Sequence, residues 1–223
     1  MILDVLVIGG GLSGMVIAQR LSALTAAATA TTAATKKKSQ QQLNWKLLEA
    51  RSVLGGRLRN DNVLDEIDLG AAWFWPDHQP NLSKLIKTTL SGEMETFLQP
   101  GDPESTRFCG GAVQLIRKLN ETIPQKNIHL STPVKSCSLV LPETATKSDS
   151  ETCAMKDISN SHEDKPYIEV RTIQDEVFRA RHVVFAAPPK ILSKHIQFDP
   201  PLSPDKTRAM ANSQTWMAGM IFA

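Results

Sequence analysis

The chain has 223 residues, 41% of them hydrophobic and 22% charged, with a formal charge of +2. That length allows one large or two small domains with a real core, and the near-neutral balance argues against nucleic acid or an anionic membrane as the main partner. No apolar run approaches the roughly 18 residues that span a bilayer, no leader precedes the first strand pattern, and Cys109, Cys137 and Cys153 are scattered without a CxxC pair, so a reduced, cytoplasmic protein with no disulfide framework and no metal site is expected.

Ile2 to Ile8 is an apolar run broken only by Asp4 and ending at glycines, the pattern of a buried parallel strand. Leu12 to Leu24 follows with apolar residues at helical spacing. Thr25 to Gln42 contains mainly Ala, Thr, Lys and Gln and reads as a solvated low-complexity insertion, its Ala-rich start extending the helix by a turn or two. Leu43 to Ala50 is the second strand, and a short polar hairpin-like region leads to "GAAWFWPDHQP". Helices are predicted over Asn81–Leu90 and Ala112–Asn120, and strand-like runs lie on either side of Pro133. Residues 142–166 read as a polar surface loop, Tyr167–Arg179 as a hairpin and Val183–Ala187 as a separate apolar strand stopped by a double proline. This order predicts an α/β fold, a Rossmann-like doubly wound sheet with an antiparallel meander attached.

Gly9, Gly11 and Gly14 match G-x-G-x-x-G between a strand and a helix. Gly9 suits the tight turn, Gly11 the close approach of a pyrophosphate, and Gly14 the seating of the helix on the strand. The helix start, with Leu12 and Ser13, offers free N–H groups and a positive dipole end to phosphates. Glu49 closes the second strand, where an acid accepts hydrogen bonds from the adenosine ribose. It lies 35 residues beyond Gly14, of which Ala26–Gln42 contributes 17, leaving 18. That remainder is close to the usual gap of about 20. An acid here argues against a 2′-phosphate, while the turn by itself does not separate NAD from FAD.

"LLEARSVLGGRLRN", Leu47 to Asn60, resembles the flavin-containing amine oxidase (monoamine oxidase-like) family, which has an acid, Ala, Arg and then Gly-Gly-Arg after its second strand. Here these are Glu49, Ala50, Arg51, Gly55, Gly56 and Arg57. Gly55 and Gly56 permit close backbone approach, and Arg57 brings a fixed charge to the diphosphate. "DLGAAWFWP" resembles the family segment near the flavin, which includes Gly70, Ala71, Ala72 and Trp73. "RFCGGAVQLIRKL" resembles its Gly-Gly helix entry, and "IHLSTPVKSC" the strand whose valine backbone, here Val134, meets the adenine. "ARHVVFAAPPKIL", "IQFDPPLSPDK" and "TWMAGM" resemble later segments in the same order.

The resemblance implies FAD as cofactor and a small-molecule amine as substrate. It implies oxidation of that amine to an imine, with hydride transfer to flavin and O2 as acceptor. It divides the chain into a first FAD-binding segment (1–80), a short substrate-domain excursion (81–107), a second FAD-binding segment (108–200) and the start of a substrate domain (201–223). The family's lysine near the flavin, its flavin-flanking aromatics and its closing glycine segment have no counterpart before Ala223. The chain therefore reads as truncated before the C-terminal half, and no catalytic residue is assigned. Two other readings share these motifs: a desaturase or protoporphyrinogen oxidase type of flavin oxidoreductase, and a truncated non-catalytic FAD-binding paralogue. Phe74 and Trp75 are expected to be core or inter-domain packing, and Asp65, Glu66 and Asp68 a solvated turn, with Asp68 available to cap backbone near Gly70. The Lys36–Lys38 run is read as a solvated loop.

Overall fold

The computed structural model describes residues 1–34, 43–60, 68–89, 98–100, 105–142 and 165–213. The Lys36–Lys38 run, Asp65, Glu66, Cys153, most of the polar loop (143–164) and "TWMAGM" lie outside these residues.

Strand β1 (Leu3–Ile8) runs through the glycine turn into helix α1 (Leu12–Ala34) and returns as β2 (Trp45–Leu48), parallel to β1. Asp4, the one polar interruption in the first strand, accepts a hydrogen bond from the Asn44 N–H at 2.8 Å and fixes the entry to β2. Helix α1 continues about ten residues beyond Leu24, past the one or two extra turns expected. From Met15 to Ala34 it contains no glycine or proline, and alanine is the best helix former. Ser22 and Thr25 satisfy their hydroxyls on the Ala18 and Leu21 carbonyls, one turn back, without leaving the helix. The low-complexity stretch is thus helical through Ala34, further than the one or two turns expected of its Ala-rich start.

The main sheet has seven strands in the order β10-β7-β8-β9-β1-β2-β6, with β6 (Ile128–His129), β7 (Val134–Val140), β8 (Tyr167–Thr172), β9 (Val177–Phe185) and β10 (Gln197–Asp199). Strands β9, β1, β2 and β6 are parallel, and β7-β8-β9 form the antiparallel meander. The hairpin's second arm and the late apolar strand are one continuous β9. Its first residues pair antiparallel with β8, its last pair parallel with β1, and Ala180 pairs with both Ile168 and Leu3. The sequence pattern places the end of the hairpin at Arg179 and the start of a separate strand at Val183. Arg179 and Arg181 instead reach outward, to Glu169 and to the Lys165 and Pro166 carbonyls.

Alternation along β1 builds two cores. Val7, with Trp45 and Leu47 of β2, faces Met15 and Ala18 of α1 and Leu115, Ile116 and Leu119 of helix α3 (Val113–Glu121). Leu6, Ile8 and Leu48 face Val134, Cys137 and Val170 of the meander, which folds over the opposite side of the sheet. Such burial stabilises by roughly 25 cal/mol per Å² of apolar surface. Helix α2 (Pro80–Thr89) buries Ile86 in the first core. A second sheet, β3-β5-β4, comprises β3 (Trp73–Phe74), β4 (Leu98–Pro100) and β5 (Thr106–Phe108). Phe74 and Phe108 are buried with ring centroids 5.4 Å apart. Trp75, expected to pack, is 42% exposed, since alternation along the short strand turns Trp73 and Trp75 away from Phe74. Helices α4 (Pro189–His195) and α5 (Pro204–Asn212) flank β10. No helix among the described residues is long and apolar enough to cross a membrane.

Cys137 is buried, and burial pushes its thiol up to about 11. The thiolate is the nucleophile, so at about pH 8 Cys137 is expected to resist iodoacetamide in the folded chain and to label in urea. Peptide mapping of alkylated samples checks this; full labelling of Cys137 in the native chain would contradict it.

Candidate functional site

The strand ends of β1 and β2 meet at the glycine turn. Gly9 has φ +112°, and a Cβ there would sit 2.8 Å from the Ala186 carbonyl oxygen at the end of β9. A Cβ on Gly14 would lie 1.8 Å from the Gly9 oxygen, so α1 is seated directly on the end of β1. Gly11 differs from both: its Cβ would meet nothing closer than the Gly56 Cα at 3.9 Å. The three glycines therefore divide into a turn, an open notch and a helix seat, as their spacing predicts. Met15 N–H donates to the Gly11 oxygen and begins the helical ladder. The N–H groups of Leu12, Ser13 and Gly14 precede that first bond and face the positive end of the helix.

Glu49 is 8% exposed and points into this turn. Its Oε2 accepts from the Gly10 N–H at 2.6 Å and its Oε1 from the Arg51 N–H at 2.9 Å. Each carboxylate oxygen has a second lone pair. The Glu49 backbone is fixed by its own N–H donating to His129 and its carbonyl accepting from Thr132. Gly10 was not singled out in the sequence, where it is the middle of three glycines. A Cβ there would meet Leu54 Cδ2 at 2.6 Å and Glu49 Oε2 at 3.1 Å, so its glycine is set by Leu54 and the acid together.

The Gly55-Gly56-Arg57 segment docks onto the same turn. Gly55 N–H donates to the Gly10 oxygen at 2.8 Å, and a Cβ on Gly56 would lie 3.1 Å from the Gly11 Cα. The side chains of Ala50, Arg51 and Arg57 are exposed at the rim. From Arg57 the contact passes to the next predicted segment. Ala71 N–H donates to the Arg57 oxygen at 3.3 Å, and a Cβ on Gly70 would lie 1.8 Å from that oxygen. Ala72 follows, half-buried, and Trp73 is 46% exposed, with the Arg107 guanidinium 5.6 Å from its ring centroid. Val134 opens β7, two residues beyond Thr132 and buried. Ser131 and Thr132 donate to the Arg51 and Glu49 carbonyls, so Val134 lies beyond the Glu49 end of the notch.

This mouth lies at the carboxyl ends of parallel strands, the place where open α/β sheets hold ligands. Residues 7–89 match an NAD(P)-binding Rossmann-like domain, and residues 95–222, more than half of the chain, match the family described as flavin containing amine oxidoreductase. The chain belongs to the flavin-containing amine oxidoreductase family. Its fold resembles wild-type putrescine oxidase bound to putrescine, with a TM-score of 0.59 at 16% identity, covering 95% of this chain and 63% of that one. A point mutant of putrescine oxidase, from a structure-based redesign of cofactor binding, gives a TM-score of 0.55 at 17% identity, with 93% and 62% covered. No curated protein matches the chain. The chain spans a little under two thirds of the length of the oxidases it resembles in fold.

Family membership implies a flavin cofactor. The donor set fits the nucleotide half of such a group: an open notch over Gly11, helix N–H groups beside it, and a fixed carboxylate with lone pairs to spare. Among the described residues no group of three His, Cys, Asp or Glu side chains could hold a metal ion.

Asp68 departs from its predicted place in a solvated turn. It is 4% exposed, and its Oδ1 accepts from the Ala112 N–H at 2.8 Å, not from backbone near Gly70. An antiparallel bridge to Asn60 draws it inward, against the turn that opens α3. Burial pushes its carboxyl above the usual range, while the Ala112 N–H and the Arg107 charge pull in the opposite direction. A raised native value means that the folded state holds the proton more tightly than the unfolded chain. Stability from this group is therefore fully present below the ordinary carboxylate value of 3.8 and declines as pH rises through the raised native value. Asp68→Asn is expected to flatten that decline, measured as the difference between urea midpoints at about pH 4 and about pH 7. An identical pH dependence in the two proteins would contradict the assignment.

Proposed function

We propose that the chain forms the FAD-binding part of an FAD-dependent amine oxidase that acts on a small-molecule amine. The observation that carries this reading is Glu49: a buried carboxylate held by two backbone N–H groups beside an open glycine notch. In this reading Glu49 accepts hydrogen bonds from the adenosine ribose. The diphosphate lies over Gly11 on the N–H groups of Leu12, Ser13 and Gly14, and Arg57 supplies a positive charge at the rim. The Val134 backbone meets the adenine, and Gly70, Ala71, Ala72 and Trp73 run along the flavin. Residues 1–80 and 108–200 are the two FAD-binding segments, and 81–107 and 201–223 belong to the substrate side.

A bound flavin supplies hydride acceptance from the carbon beside the amine nitrogen, with O2 as the final acceptor and an imine as the product. The chain's own residues bind and orient that group; none is assigned a proton-transfer role. The amine substrate is supported by the family and by the putrescine in the structurally similar oxidase. Reconstitution with FAD, followed by peroxide release from a panel of mono-, di- and polyamines, tests the reading. A yellow, desalted chain with an absorbance maximum displaced from free FAD is expected. A colourless chain under saturating FAD would sink the cofactor assignment. Turnover of a tetrapyrrole or polyene, with no turnover of amines, would replace the substrate class.

A further inference from the structure

The two buried side chains that face the turn before α3 have no part in the nucleotide notch. Asn60 is 8% exposed and Asp68 4%, and they sit opposite each other on an antiparallel bridge. Both reach the Gly110–Gly111–Ala112 turn. Asn60 Nδ2 donates to the Gly110 oxygen at 3.2 Å, and Asp68 Oδ1 accepts from the Ala112 N–H at 2.8 Å. The turn has φ +71° at Gly110 and +80° at Gly111, and a Cβ on Gly111 would lie 2.6 Å from Asn60 Nδ2. One amide and one carboxylate thus grip a turn shaped to receive them.

The grip extends in both directions. Leu69 N–H donates to the Arg59 oxygen at 2.7 Å, and the absent Cβ of Gly70 leaves room for the Arg57 oxygen, so the bridge continues toward the Gly-Gly-Arg segment. On the other side Ile116 of α3 touches the same segment, its Cγ1 3.7 Å from where a Gly55 Cβ would be. Contacts at Gly55 and at the Asn60–Asp68 bridge therefore fix α3 against the segment that carries Arg57.

We propose that Asn60 and Asp68 are positioning residues that clamp the Gly110–Gly111 turn onto the backbone at Arg57–Asn60 and Asp68–Ala72 and so set the backbone along which the flavin is held. The second half of this inference rests on the flavin reading above; the clamp itself does not. A clamp of this kind acts through geometry, because neither side chain belongs to the notch formed by Gly11 and Glu49.

The test uses three forms of the chain: parent, Asp68→Ala and Asp68→Asn. Asn keeps an oxygen for the Ala112 N–H and changes only the second oxygen, Asp68 Oδ2, which is buried without a hydrogen-bond partner among the described residues. Hydrogen exchange at the Gly111 and Ala112 amides reads the clamp without any ligand. Exchange at these amides is expected to accelerate at least about tenfold in Asp68→Ala and to return toward parent rates in Asp68→Asn. FAD titration reads the consequence: Asp68→Ala is expected to bind about tenfold more weakly, with a displaced flavin band, and Asp68→Asn to restore both. A uniform loss of stability would accelerate exchange throughout the sheet and leave the band position unchanged. Parent-like exchange at Gly111 and Ala112 in Asp68→Ala overturns the clamp. A normal FAD affinity and band in a chain whose turn has loosened overturns the positioning role. Failure of the parent to bind FAD would refute the flavin reading, while the exchange data would still decide the clamp.

Discussion

Gly14→Ala is expected to lower stability and abolish dinucleotide binding together. The added methyl would sit 1.8 Å from the Gly9 oxygen and 3.0 Å from the Gly9 carbon, both backbone atoms. Gly9 cannot retreat, because its own position is set against Ala186 and by its N–H bond to the Leu48 oxygen. Overpacking costs typically about 1–3 kcal/mol and more where no side chain can yield. For a domain of this size each kcal/mol lowers the melting temperature by about 2–4 °C, so a fall of about 10 °C is expected. Gly11→Ala provides the contrast. Its methyl meets nothing within van der Waals contact except the Gly56 Cα at 3.9 Å. It is expected to keep its melting temperature within about 2 °C and to lose nucleotide binding, because the methyl occupies the notch. Thermal melts and ligand titrations on both variants separate a seat from a binding surface. Equal melting temperatures for the two variants would contradict the division.

Glu49→Ala carries the second large effect. It leaves the buried Gly10 N–H without its acceptor and removes the partner of the Arg51 N–H. A charge-assisted hydrogen bond contributes about 1.5–3 kcal/mol, and an unpaired buried donor costs a comparable amount. Arg51 is exposed, so water replaces its lost bond, whereas Gly10 is buried and finds no replacement. A stability loss of about 2–3 kcal/mol is expected in urea. If the same carboxylate also holds the ribose, FAD affinity falls by at least about tenfold as well. Glu49→Gln separates the two roles in part. It keeps one acceptor oxygen but turns an NH2 toward the second N–H, so its stability should fall between parent and Ala. An unchanged urea midpoint in Glu49→Ala would show that the carboxylate does not hold the turn.

The strand, glycine turn and helix were legible because the glycine spacing and the apolar patterns on either side of it are contiguous in the sequence. Gly14 answers a constraint set five residues earlier, at Gly9, while Gly9 is also packed against Ala186, and Glu49 lies at the end of an adjacent strand whose register the apolar alternation fixes. What escaped the sequence depends on partners far along the chain. Gly10 is glycine because Leu54 and Glu49, brought back onto the turn from far along the chain, leave no room for a Cβ. Asp68 looked solvated beside Asp65 and Glu66, yet Ala112, 44 residues away, supplies its hydrogen bond. The unbroken β9 was misread for a related reason: a strand paired with β8 at one end and β1 at the other carries two environments, and its arginines mark the change of neighbour, not an end. Helix α1 outran its prediction because composition was taken as evidence of solvation. Alanine without glycine or proline propagates a helix regardless of how little it buries.

The fold also accounts for how the two faces of β1 serve one end of the sheet. Val7, Trp45 and Leu47 hold α1 and α3 beneath the turn, while Leu6, Ile8 and Leu48 hold the meander that leads to Val134. The pleat of β1 thus brings both the helix start and the strand at Val134 to the same end of the sheet. Substitutions in either core are expected to move the notch indirectly, and those at Gly11 and Glu49 directly.

The central claim is that this mouth holds FAD, and titration of the chain with FAD, followed by quenching of flavin fluorescence, tests it most directly. The account predicts saturable quenching by the parent, none by Gly11→Ala at equal concentration, and no displacement by NADP, whose 2′-phosphate would meet the Glu49 carboxylate. Quenching that is equal in the parent and Gly11→Ala, or absent from both, would contradict it.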